Sequence, residues 1–394
     1  MDHNAYRTAL TQSSAGTERF FPPAEFTERR SRVARAMAER GLDALLVTDP
    51  ADIHYLTGYK TFEVSVHAAL VFRPEHCFLQ VPSIETGPAV TTAWVDEIAG
   101  YDWEDVTSVV APLVSQLRDC HHVGIDPWNA GLRHGLMYEL TAHLGGERFQ
   151  DCGDLLDGIR LIKTAAEIQC LRDSARITEA GLQAAIAMIR PGVDENAIAA
   201  AGAGAMLAAG SEFMSLQPIV TSGPRIGVIH LNHQQRLVQP GDPVFLEFGA
   251  AWQRYTAPMM RTVVAGEPSA YMLMLRDCCH RIHDALLDTM RPGNRFDDAA
   301  RAAEVALAPV AGEVFFSGVF GYSVGAQFPP SWVEGTGYIA RGQQQRFAPG
   351  MVFHLPLCLR LPGQWGIGMS NTVLVTERGA EPLTHNDWEL TNCA

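Results

Sequence analysis

Apolar residues recur every three or four positions through FTERRSRVARAMAERG, between Pro23 and Gly41. With an acidic start and a glycine stop, this spacing predicts a first helix. LDALLVTD then reads as a buried strand, DPADIHYLTGY as a strand-to-loop junction, and HAALVFRPEHCFLQVP as a hairpin turning at Arg73-Pro74. The alternation continues through VGID at Val123. Residues 21–155 are therefore expected to form an α/β domain, a mixed sheet with flanking helices, preceded by a polar tail over residues 1–20.

The pattern changes near residue 156, where a second domain of α+β class is expected to run to residue 394. Asp154 to Arg160 reads as a linker strand. Thr164, with Glu167 three positions on, has the spacing of a capping box and opens a long amphipathic helix. Arg190-Pro191-Gly192 closes that helix, and a shorter one follows from Glu195. The same punctuation, Arg291-Pro292-Gly293, returns after a helix over Tyr271 to Met290. A helix, Arg-Pro-Gly and a second helix, occurring twice, suggest an internal duplication in which each half pairs two helices with a sheet. Between and after the helices lie LQPIVTSGPRIGVIHLNHQQRLVQPGD, the Gly/Pro-rich loop FSGVFGYSVGAQFPPSWVEG, and a closing hairpin in PGMVFHLPLCLRLPGQWGIGMSNTVLVTERG.

The stretch DPVFLEFGAAWQRYTAPMMRT, Asp242 to Thr262, reads as two strands about a Gly249-Ala250 turn. Its first strand places Glu247 among Phe245, Leu246 and Phe248. A carboxylate in such a run is either paired for structural reasons, here with Arg254 or Arg261, or is used in chemistry. His54, where a buried strand gives way to the Thr57-Gly58 loop, and His67, inside VSVHAALVF, are the histidines of the first domain set in apolar surroundings. Single histidines in such places are commonly satisfied core residues, and both remain candidates.

At 394 residues the chain exceeds what one core usually organises. A net charge of −14, with no cluster of Lys or Arg, argues against nucleic acid or an anionic membrane as partner. No apolar run is long enough to span a bilayer; the nearest, Ala197 to Gly210, is Ala/Gly-rich and reads as a helix packed closely on a neighbour. The N-terminus lacks the apolar segment of a secretory signal, so a cytoplasmic location is expected. Eight cysteines without CxxC spacing read as reduced core thiols.

Taken in order, IHYLTGY, LIKTAAEI, LVQPGD, RYTAPMMRT, GYSVG, PGMVF and NTVLVTERG resemble the pita-bread superfamily of Xaa-Pro aminopeptidases, prolidases, methionine aminopeptidases and creatinase. The resemblance covers roughly Phe20 to Leu383 and implies a pita-bread catalytic domain preceded by a creatinase-type α/β domain. In the peptidases the fold carries two metal ions on two Asp, one His and two Glu. The matching positions here are Glu247, Pro258, Tyr322, Pro356 and Ser370, so four of the five ligands are lost. No metal and no cofactor are expected. Creatinase's base histidine falls on His230, but the Glu of its central ribbon falls on Met260. The ectoine hydrolase branch is more similar, sharing Glu247, Arg254-Tyr255, Pro258, Arg261-Thr262, Gly321 to Gly325, Pro329 to Trp332, Val66-His67 and WGIGMSNT.

That resemblance implies a metal-independent hydrolase of a C–N bond in a small cyclic amidine, with ectoine opened to N-acetyl-2,4-diaminobutyrate. A creatinase-like hydrolase of another amidine, guanidine or cyclic amide is the alternative, and a catalytically inactive binding module is the reading of another class. Glu247 would attack the amidine carbon or orient water, and His54 or His230 would move the proton. Arg225, Arg254 or Arg261 would clamp a carboxylate, and Tyr255, Tyr322, Trp332, Trp365 and Phe62 would line the pocket. In two-domain relatives one subunit's N-terminal domain closes the other's site, which implies a homodimer with His67 or Phe62 near the partner's centre.

Overall fold

The computed structural model describes residues 2–228 and 230–390. The chain divides into two compact units, Met1–Ile159 and Arg160–Ala394.

The N-terminal unit begins with helix α1 (His3–Ser14), capped by the Asp2 side chain, and α2 (Pro23–Arg40), which has proline in its first turn and left-handed Gly41 at its end. The loose tail expected over residues 1–20 is thus a helix and a tied-down connection. Arg7 donates to the Ile98 carbonyl, Arg19 Nη2 to the Ala93 carbonyl at 2.6 Å, and the Gly16 amide to the Val90 carbonyl at 3.0 Å. Strand β1 (Ala44–Val47) leads into α3 (Pro50–Thr57), not into a loop. Asp49 accepts from the amides of Ala51 and Asp52, Pro50 fits the first turn, and Gly58 at φ 77° ends it.

Then follow β2 (Ala69–Arg73), β3 (His76–Pro82), α4 (Thr86–Thr92), β4 (Glu97–Tyr101), α5 (Val110–Leu117), β5 (Val123–Ile125), α6 (His134–Leu144), β6 (Phe149–Asp151) and α7 (Gly153–Arg160). The strands form one mixed sheet in the order β4-β3-β2-β1-β5-β6, as the apolar alternation predicts. α7 replaces the expected linker strand because Leu155, Leu156 and Ile159 lie on one helical face and pack into the core with Val33 and Met37 of α2.

The C-terminal unit opens with α8 (Ala165–Met188), whose Thr164–Glu167 capping box forms as read. α9 (Glu195–Ala208) follows, and the two helices approach closely. A Cβ on Gly181 would lie 2.3 Å from Met206, and one on Gly202 would lie 2.1 Å from the Phe248 ring. The chain continues through β7 (Ile219–Ser222), β8 (Pro243–Phe248), β9 (Ala251–Trp252), β10 (Tyr255–Thr256) and β11 (Met259–Val264) to α10 (Ala270–Thr289) and α11 (Phe296–Leu307). Both Arg-Pro-Gly turns are built alike. Gly192 and Gly293 are left-handed, and their amides donate to Val238 and Phe347, which lie on strand-like segments further along the chain.

Last come β12 (Val319–Val324), β13 (Val333–Ala340), β14 (Val352–His354), β15 (Leu357–Leu361), β16 (Trp365–Met369), β17 (Thr372–Thr376) and β18 (Gly379–Pro382). Among the described residues the sheets run β11-β8-β7 and β13-β12-β14-β17-β18, with β9-β10 and β15-β16 as ribbons. The segment expected to be a Gly/Pro-rich loop therefore carries β12. Gly321 belongs there because a Cβ would lie 2.8 Å from both Ile339 and Leu355.

Candidate active site

β8 presents Val244, Leu246 and Phe248 to the helix-packed core, so alternation turns Phe245 and Glu247 to its other face. Ile219 of β7 and Met260 of β11 stand opposite Glu247, and Ile219, Ile226, Phe245, Met260 and Cys358 form the apolar cluster of that face. Glu247 is 2 % exposed and its Oε2 has no hydrogen-bond partner. Burial alone pushes its carboxyl up to about 8, so the free protein near neutrality holds it mostly protonated. The structural pairing with Arg254 or Arg261 is not made: Arg254 binds Glu212 at 2.7 Å and Arg261 binds Asp387 at 2.6 Å.

Beside Glu247 lies a chain of hydrogen bonds. Trp332 Nε1 donates to Tyr322 Oη at 2.8 Å, Tyr322 Oη meets His354 Nδ1 at 2.7 Å, and His354 Nε2 meets Ser370 Oγ at 2.6 Å. Ser370 Oγ also accepts from the Met260 amide at 2.7 Å. Burial lowers His354 to about 3, so the ring is neutral and one nitrogen donates while the other accepts. The chain therefore has a direction set by the tautomer. With Ser370 donating to Nε2 and Nδ1–H donating to Tyr322, the phenol proton is left for the site. Burial, and then the charge of Glu247, hold the Tyr322 phenol well above its ordinary range.

Of the other residues singled out, Tyr255 is buried and donates to Glu167 at 3.0 Å, and Trp365 meets Tyr271 edge-on at 5.9 Å. Arg225 pairs with Glu195 and donates to the Asn232 carbonyl at 2.5 Å. His230, at φ 61°, lines the mouth of an apolar slot whose walls include Phe245 and Cys358. In the N-terminal unit, His54 lies in α3 rather than on a loop, with Nδ1 3.1 Å from the Tyr59 carbonyl. His67 is buried against Tyr101 and Gln80 and lowered by burial to about 4; Phe62 is 87 % exposed. The structure thus brings Glu247, Tyr322 and Trp332 together and engages the three nominated arginines with carboxylates. The seven described cysteines are buried and take part in no disulfide; Cys393 lies outside the described residues.

The sequence profile of metallopeptidase family M24 matches residues 169–377. The chain belongs to this family. Residues 29–162 match the creatinase/prolidase N-terminal domain. An uncharacterised hydrolase/peptidase of Sinorhizobium fredii is 29% identical, over 94% of this chain and 97% of its own length. The ectoine hydrolase of Halomonas elongata is 26% identical, covering 92% and 96%, and an Xaa-Pro dipeptidase of Lactobacillus delbrueckii is also 26% identical, covering 90% and 96%. The prolidase of Pyrococcus horikoshii superposes with a TM-score of 0.81 at 22% identity, covering 92% of this chain and 100% of that one, which shows the pita-bread fold.

This M24 hydrolase does not carry the donors of a dinuclear centre. Glu247 is the one carboxylate among the five ligand positions, Tyr322 and Ser370 are spent on His354, and two positions are proline. Among the described residues no three His, Cys, Asp or Glu side chains converge on a point where a metal ion would sit. His354 escaped the sequence reading. Its signal was the one that marked Glu247, a single polar residue in an apolar run (MVFHLPL).

Proposed function

We propose that this M24 hydrolase opens a small cyclic amidine without a metal ion, with ectoine as the substrate and N-acetyl-2,4-diaminobutyrate as the product. The observation that carries the reading is the buried, unpartnered Glu247 carboxyl beside a hydrogen-bond chain built from former ligand positions. A protonated amidine has an electrophilic carbon between two nitrogens. Its N–H groups suit the open Oε2, and its positive charge offsets the cost of ionising Glu247. The carboxylate attacks the carbon, the ring C–N bond breaks, and the departing nitrogen takes the Tyr322 proton, leaving a phenolate held by the Trp332 and His354 N–H groups. Water then attacks the Glu247-bound carbon, restoring the carboxylate and leaving the amide, and the proton that the water gives up restores the Tyr322 phenol.

His230, at the mouth of the neighbouring slot, is proposed as the base for that water, with His54 as the alternative. The peptidase relatives are as similar in sequence, but their chemistry calls for metal ligands that four of the five positions here do not supply.

Intact-mass spectrometry after ectoine is added tests these roles. Glu247→Gln should keep its fold and substrate binding, lose about three or more orders of magnitude in rate and show no adduct. A base variant, His230→Ala or His54→Ala, should accumulate substrate mass on Glu247. A Glu247→Gln enzyme near the wild-type rate would overturn the assignment.

A further inference from the structure

The slot on the Glu247 face is lined at one end by Arg360, with which no carboxylate among the described residues pairs. Arg360 of β15 points to the same side as Cys358, away from Leu357, Leu359 and Leu361, which fill the core. Opposite Arg360 and Cys358 in the ribbon stand Gly366 and Gly368, so neither meets a side chain from its partner strand. A Cβ on Gly368 would lie 2.2 Å from the Phe245 ring, which occupies the vacated space. The slot's walls are otherwise mainly apolar: Ile219, Ile226, Val228, Phe245 and Ile367.

The half-buried Arg360 guanidinium rests over the Phe315 ring at 4.6 Å. Its Nε is buried without a hydrogen-bond partner, and among the described residues no carboxylate forms an ion pair with it. Arg225, Arg254 and Arg261 each have one. Burial lowers its pKa, and Cys358, which lines the slot beside Arg360, shares its apolar cluster with Phe245 and with Met260, the residue opposite Glu247 in β11.

From this arrangement we propose that Arg360, at the mouth of the slot, binds the carboxylate of a small substrate, the guanidinium fork taking the anion while the apolar rim borders its carbon skeleton. Two N–H donors would grip the two oxygens, in a setting only partly open to solvent. The inference rests on the ring-opening reading of Glu247 for its substrate but not for its anion. It moves the carboxylate clamp from the arginines named by the sequence motifs to one that those motifs omit.

Two measurements on the full-length protein test it. First, pivalate, a carboxylate on a compact apolar body, should raise the melting temperature of the wild type, whereas pivalamide should not. Arg360→Met should abolish the pivalate shift. Second, Arg360→Met should raise KM for ectoine on the order of 100-fold, with kcat changed only several-fold and KM for the ring lacking the carboxylate, 2-methyl-1,4,5,6-tetrahydropyrimidine, unchanged. Arg360→Lys should recover part of the loss. Pivalate binding that needs Arg360, in a protein that leaves ectoine intact, would uphold the anion site and refute the ring opening. Normal KM for ectoine in Arg360→Met, or no pivalate shift in the wild type, would refute the anion site and leave the ring opening standing.

Discussion

Glu247 titrates near 8 in the folded protein against an ordinary value of 4.5. The unfolded chain gives up this proton near 4.5 and the folded one near 8, so the folded state holds more protons between those limits. The contribution of the neutral carboxyl is complete below about 4.5 and is lost as pH rises to about 8. Glu247→Gln cannot ionise, so its melting temperature relative to wild type should climb across this window and level off above it, by the equivalent of roughly 3–5 kcal/mol. The same titration governs catalysis. kcat/KM should rise about tenfold per unit up to pH 8, while kcat, measured with the cationic substrate in place, should depend on pH less steeply. A pH-independent stability difference would place the ionised form in the free protein and contradict the burial argument.

Among single residues, Glu247 was legible because a carboxylate in an apolar strand is costly without a use. His354 and Arg360 carry the same signal in MVFHLPLCLRLPG, but the motif match pointed to Pro356 between them. The arginine clamps were misplaced for another reason. Glu212 lies over 40 residues before Arg254, and Asp387 over 120 after Arg261, so no local pattern shows that both are already paired.

At the scale of elements, the long helices and the paired Arg-Pro-Gly turns followed from periodicity and capping, which act over a few residues. α3 is not legible although Asp49-Pro50 is a helix start, because its apolar residues continue those of the strand before it; nor is α7, whose apolar face spans only two turns. β12 was hidden by Gly321 and the glycines on either side of the strand, Gly318 and Gly325; Gly321 is set by Ile339 and Leu355, further along the chain. The Ala/Gly-rich α9 was read as a closely packed helix, and Gly202 shows what it packs on. Gly202→Val should push on the Phe248 ring, next to Glu247 in β8, costing about 1–3 kcal/mol in urea denaturation and lowering activity. A variant as stable as wild type would mean that α9 moves freely away from the Phe248 ring.

For the whole molecule, the resemblance implies a two-fold homodimer, and none of the described helices is long and apolar enough to cross a membrane. His67 lies in the core of its own unit, so of the two residues expected near a partner's site the exposed Phe62 is the one free to reach it. Sedimentation should find a dimer, and Phe62→Glu should weaken it or its activity; a fully active monomer would refute this arrangement. The most direct test of the central claim is proton NMR of ectoine incubated with chelator-treated protein. The account predicts conversion to N-acetyl-2,4-diaminobutyrate at an undiminished rate, abolished in Glu247→Gln. Intact ectoine, or activity that returns only with added divalent metal, would contradict it.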